Sequence, residues 1–206
     1  MQPTEILMNE HRIIEQVLDC LEIMADRCEA NADLDADSAR KAIDFFRTFA
    51  DCCHHAKEET YLFPMMEAKG FSRENGPTGV MRDEHDQGRQ HVQSMADSVD
   101  KCESGDVPAI DAFVRHARSY CELLRAHIHK EDHCLFPMAN QALNDEEQQS
   151  LLTMFEKVEH DDMSEGTHER YLQIADELAS RFDVVRITIE ANSEHGSCSP
   201  SHSAQR

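Results

Sequence analysis

The chain has 206 residues, with 41 acidic against 20 basic side chains, a formal net charge of −21 and a pI near 4.9. That acidity excludes a binder of phosphate backbones, which needs clustered Lys and Arg to displace counterions, so no nucleic-acid partner is expected. With 40% apolar residues, no Trp, seven Gly and six Pro, the composition suits one helical domain better than a β-sandwich or a glycine-rich α/β enzyme.

From Thr4, a plausible N-cap, Leu7, His11, Ile14, Leu18, Leu21, Ala25 and Cys28 recur at helical spacing, an apolar seam with a histidine in it. A polar break over residues 31–37 precedes a second helix that runs to about Lys69, where Gly70 can end it. After a loop with Gly76 and Pro77, a third helix carries Met81, His85, Gly88, Val92, Met95, Val99 and Cys102 on one seam. Pro108 opens a fourth, with Ile110, Phe113, Ala117, Tyr120, Leu124, His127, Glu131, Cys134 and Met138 in register. Weaker patterns predict helices over about 145–160 and 167–182, packed on the outside. The RITIE run at 186–190 is strand-like and has no evident partner. The division expected is a bundle over 1–142, a helical extension over 143–190 and a disordered tail over 191–206.

No run reaches the roughly 18 apolar residues of a membrane span, and MQPTEILMNEHRIIEQ has neither the basic nor the apolar region of a signal peptide. Eight cysteines without a CxxC pair read as reduced thiols, so the expectation is a cytoplasmic protein with no membrane partner.

The chain repeats itself. HHAKEETYLFPM at 54–65 and HIHKEDHCLFPM at 127–138 share seven of twelve residues at an offset of 73, and Glu10-His11 matches Glu84-His85 at an offset of 74. Each half therefore holds a lone histidine followed by His-x-x-x-Glu, as in a duplicated helical hairpin. Residues i and i+4 share a helix face, so His54 with Glu58, and His127 with Glu131, each aim at one spot. With His11 and His85 they supply four imidazoles and two carboxylates, the donor set of a dinuclear metal site in a four-helix bundle. Imidazole suits Fe, Mn, Cu or Zn rather than Ca or Mg. A lone histidine in an apolar stripe is ordinarily a hydrogen-bonded core residue. Six such groups in a duplicated pattern, two of them carboxylates costly to bury without cations, point to a metal.

Over residues 5–142 the chain resembles the hemerythrin-like (HHE cation-binding) family, on EHR at 10–12, HHAKEETYLFP at 54–64, GPTGVMRDEHD at 76–86 and HIHKEDHCLFP at 127–137. The resemblance implies an all-α, up-down four-helix bundle with two iron ions, held by His11, His54, Glu58, His85, His127 and Glu131, the glutamates bridging. Manganese or zinc would suit the same donors. The partner implied is a small diatomic molecule or peroxide: dioxygen, nitric oxide or hydrogen peroxide. Peroxide-decomposing enzyme activity, iron handling and a metal-free helical interaction module are the rival readings.

Oxygen-carrying hemerythrins pair two histidines on the third helix; here Met81 and Arg89 flank His85 at those spacings, so one nitrogen ligand is missing. His55 with Glu59 offers an alternative i, i+4 pair on helix 2, on a seam through Phe45, Phe49, Cys52, Ala56 and Phe63. The repeat favours His54/Glu58, because His55 and Glu59 align with Ile128 and Asp132. His129 and His133 fall off the seam and read as surface residues. Lys57 and Lys130 read as side chains reaching solvent, Cys52 and Cys53 as buried packing, and Tyr61 and Tyr120 as core. Gly88 reads equally as close helix packing or an opened pocket. Pro64 and Pro137 mark a kink or helix end. His160 and His168, with Glu159 and Glu165, read as a solvated charged face.

Overall fold

The computed structural model describes residues 1–158 and 166–187, and these are helical apart from short connections. The helices are α1 (Pro3–Asn31), α2 (36–68), α3 (Pro77–Glu103), α4 (107–142), α5 (Asp145–Lys157) and α6 (Thr167–Phe182). The first four pack in a ring, α1 against α2 and α4, and α3 against α2 and α4. Thr4 lies inside α1 rather than capping it, with its hydroxyl on Asn140 Oδ1 at 3.0 Å; the start is closed instead by Gln2 and Glu5 bonding reciprocally. α4 opens one residue before Pro108, with the Asp106 carboxylate accepting from the Ala109 amide at 2.9 Å.

The seams read from α1 and α3 are buried throughout, histidines included. On α2 and α4 the apolar period breaks where the helix widens into π turns, over Phe46–His55, Glu58–Leu62 and Glu131–Leu135. Each π turn adds one residue and so rotates everything after it by about 100°. Past Glu131 the buried positions are therefore Leu135, Phe136 and Ala139, while Cys134 and Met138 turn outward. On α2, Cys52 is exposed and Cys53, His54 and His55 are all buried. Pro64 and Pro137 neither end nor replace the helix. A proline has no N–H and crowds the carbonyl four residues back. The widened turn answers this, with the Phe63 amide donating to Glu58 C=O and the Phe136 amide to Glu131 C=O, five residues away.

Two apolar clusters fill the interior, with a polar layer between them. The larger holds Phe45, Phe46, Phe49 and Phe113 among others and includes Tyr171, Ala175, Leu178 and Phe182 of α6. The smaller gathers Leu7, Leu62, Phe63, Met66, Leu135 and Phe136 and is closed by Leu151 and Phe155 of α5. The extension thus completes both ends of the core. Gln16, fully buried, holds it there, donating to Ala175 C=O at 3.0 Å and accepting from the Ile187 amide at 2.6 Å. The RITIE run is described only through Ile187, with no strand there. The remainder of it, residues 191–206, Glu159, His160 and Glu165 lie outside the described residues.

Candidate metal centre

The polar layer is built from the repeated residues. His11 of α1, His54 and Glu58 of α2, His85 of α3, and His127 and Glu131 of α4 are buried to 1% exposure or less and converge between the two apolar clusters. His55, set aside on the strength of the repeat, joins them: the π turn rotates both vicinal histidines inward. Two sets of donor atoms result, each within 4.8 Å of one another: His11, His54, Glu58 and Glu131, and His55, Glu58, His85 and His127. Glu58 belongs to both. His55 of α2, which the repeat sets opposite Ile128, thus brings a nitrogen beside His85, where α3 has no second histidine at helical spacing.

Each of the five imidazoles has its Nδ1 against a different carboxylate. His54 Nδ1 meets Glu10 at 2.9 Å and His127 Nδ1 meets Glu84 at 2.9 Å; His11 Nδ1 meets Asp132 and His85 Nδ1 meets Glu59, both at 2.7 Å; His55 Nδ1 meets Asp51 at 3.3 Å. A carboxylate at Nδ1 calls for a proton there, which leaves the Nε2 lone pair of a neutral ring for the interior. The interior atoms crowd: His85 Nε2 lies 3.0 Å from His127 Nε2, and Glu131 Oε2 lies 3.2 Å from the Nε2 of both His11 and His127.

The supporting carboxylates follow the duplication. Glu10 and Glu84, each preceding a lone histidine, also accept from Lys57 and Lys130. Glu59 and Asp132, each following an interior glutamate, reach across to the lone histidine of the other half and are clamped by arginines, Arg89 on Glu59 and Arg12 on Asp132. The sequence signal for these residues was the repeat itself, which matched Glu10 with Glu84 and Glu59 with Asp132. Lys57 does not reach solvent: it is fully buried, and its ammonium lies 5.9 Å from the ring of Phe155. Lys130 is partly exposed as expected, yet paired. His168 is not on a solvated face, since its ring packs 5.5 Å from Phe49 and its Nδ1 is buried. His133 is exposed, with His129 beside it at 4.2 Å between ring centroids.

The charges are out of balance as they stand. No oxygen of Glu58 or Glu131, nor His11 Nε2, has a hydrogen-bond partner among the described residues. Burial and the facing Glu131 push the Glu58 carboxyl well above its usual range. Burial acts the same way on Glu131, but His127 and His11 outweigh it and hold that carboxylate well below. Burial likewise opposes the charge of Glu10, and Lys57 and His54 overcome it, holding its pKa at about 2. Glu131 has the two imidazoles beside it, whereas Glu58, buried against Glu131 with no hydrogen-bond partner among the described residues, costs several kcal/mol to ionise unless a cation meets it. The nitrogen and oxygen donors fit borderline transition metals.

Residues 2–139 match the Hemerythrin HHE cation binding domain, and the chain belongs to that family. Curated relatives include uncharacterized proteins of Mycobacterium tuberculosis and Mycobacterium bovis, each 26% identical over 156 residues, which cover 76% of this chain and 60% of theirs. The chain thus spans less than two thirds of those relatives. The iron-sulfur cluster repair protein YtfE of Musicola paradisiaca is 34% identical over 92 residues, 42% of this chain and 40% of that protein. No solved structure matches. Among the described residues no helix is long and apolar enough to cross a membrane.

Proposed function

We propose that the chain is a non-haem dinuclear metal protein, with iron as its metal, that binds or reacts with a small molecule such as dioxygen, nitric oxide or peroxide. In this reading His11 and His54 hold one ion, His55, His85 and His127 hold the other, and Glu58 and Glu131 lie between them, within an up-down four-helix bundle. The observation that carries it is the pair of facing, fully buried glutamates, surrounded by five imidazoles whose outer nitrogens all meet carboxylates. Bound iron would supply redox chemistry toward the small molecule. The chain's own part is to aim Nε2 of each ring inward by holding Nδ1 against a carboxylate, to offset the cations' charge, and to exclude bulk water through the apolar layers on either side. Manganese or zinc would be held by the same atoms. A cytoplasmic location is part of the reading, and the seven described cysteines, none of them in a disulfide, accord with it.

A second reading is iron handling for cluster repair, favoured by the likeness to YtfE. The test of both is the metal content of anaerobically purified protein beside His54→Ala and Glu131→Ala. The first reading expects close to two irons per chain, lost in both variants, and slow release to a weak chelator; rapid release favours iron handling. Less than about a tenth of an ion per chain after iron reconstitution, with unchanged melting in the variants, overturns both. Peroxide consumption that turns over many times per chain and vanishes in Glu58→Ala would make the protein an enzyme.

A further inference from the structure

A cavity of about 260 Å³ opens between α2, α3 and α4 and ends on the His55 and His85 side of the polar layer. Its walls are Phe46, Val92, Leu124 and Tyr120. Gly88 of α3, one turn beyond His85, lines it, and a Cβ there would stand 3.3 Å from Tyr120 Cε2. The volume is far more than a diatomic molecule needs, since one water occupies roughly 30 Å³ of liquid, whereas an apolar cavity of about 150 Å³ holds benzene. Tyr120 is 2% exposed, and no hydrogen bond from its hydroxyl is found among the described residues. Burial pushes that phenol well above its usual range, which keeps it a neutral O–H donor. Lining the cavity without a partner of its own, that hydroxyl is available to donate to a molecule held there. The lining sets two arginines, Arg47 and Arg89, against two carboxylates, Asp51 and Glu84, with Arg89 bonded to Asp51 and Glu59 and Arg47 to Gln93, so its formal charges balance and favour a neutral occupant.

We propose that this cavity binds a neutral, single-ring organic molecule carrying one hydrogen-bond acceptor, which takes the Tyr120 hydroxyl proton as a hydrogen bond while its ring lies against Gly88, Phe46 and Val92. The binding stands on the cavity alone; its bearing on chemistry at the polar layer rests on the metal reading above.

Acetophenone, an aromatic ring with one carbonyl acceptor, is the probe. Titrated into the full chain by calorimetry and ligand-observed NMR, with and without iron, it should saturate one site with a Kd below about 1 mM. Tyr120→Phe keeps the shape and removes the donor, so affinity should fall about threefold to tenfold, the worth of one hydrogen bond. Gly88→Leu fills the space and should abolish binding; Val92→Phe fills it from another position and serves if Gly88→Leu fails to fold. Absence of saturable binding to the wild type, or binding unchanged in a folded cavity-filling variant, overturns the proposal. Binding by a chain that takes up no iron leaves the cavity assigned and sinks the metal reading; two irons with no acetophenone bound does the reverse.

Discussion

Glu58 and Glu131, one from each half of the duplicated chain, are both fully buried in the same polar layer, and none of their oxygens has a hydrogen-bond partner among the described residues. Their repulsion destabilises the chain as it stands, and bound cations would relieve it. Glu58→Gln, which carries no charge, should therefore melt at or above the wild-type temperature in chelator. With iron(II) present at about a hundred times its dissociation constant, the wild type should gain about 2.7 kcal/mol, and Glu58→Gln much less. Thermal melts with and without iron decide the matter, and a variant less stable than wild type in chelator would refute this account of the pair.

His55 stacks on His85 with ring centroids 3.8 Å apart, where the other half of the repeat has Ile128. His55→Ile should fold normally, since an apolar residue already serves at the matching place, but should hold one of the two proposed metal ions at least about tenfold more weakly. Competition with a graded series of chelators measures this. Unchanged affinity for both ions would remove His55 from the ligand set.

Glu10 orients His54 while Lys57 balances Glu10's charge, and both groups are buried. Glu10→Gln should lower metal affinity about tenfold to a hundredfold through loss of ring orientation. Lys57→Met strands the buried carboxylate and should cost about 3–5 kcal/mol of stability. Lys130→Met, at the matching but partly exposed pair with Glu84, should cost less than about 1 kcal/mol. Urea titrations of the two lysine variants provide the comparison, and equal losses would contradict the asymmetry in burial.

Phe155 of α5 is buried in the smaller apolar cluster, beside the Lys57 ammonium. Phe155→Ala should destabilise by about 3–5 kcal/mol. A loss below about 1 kcal/mol would mean that the extension merely rests on the bundle.

Much of this protein could be read in its residues. The seams of α1 and α3 follow a regular 3.6-residue period, so Leu7 to Cys28 and Met81 to Cys102 are buried as the pattern requires. The duplication singled out His11, His54, Glu58, His85, His127 and Glu131, and the structure brings all six together, because residues four apart on a helix must share a face. Tertiary structure decided what depends on helix phase and on distant neighbours. Whether His55 faces inward beside His54 is set by π turns that a constant period cannot foresee, and the same widening turns Cys134 and Met138 outward. Whether Lys57 is buried depends on Glu10 arriving from α1 and Phe155 from α5, roughly fifty residues before it and a hundred after. A side chain's pattern in sequence reports the face of its own helix; the partner that faces it is supplied only by the packed bundle.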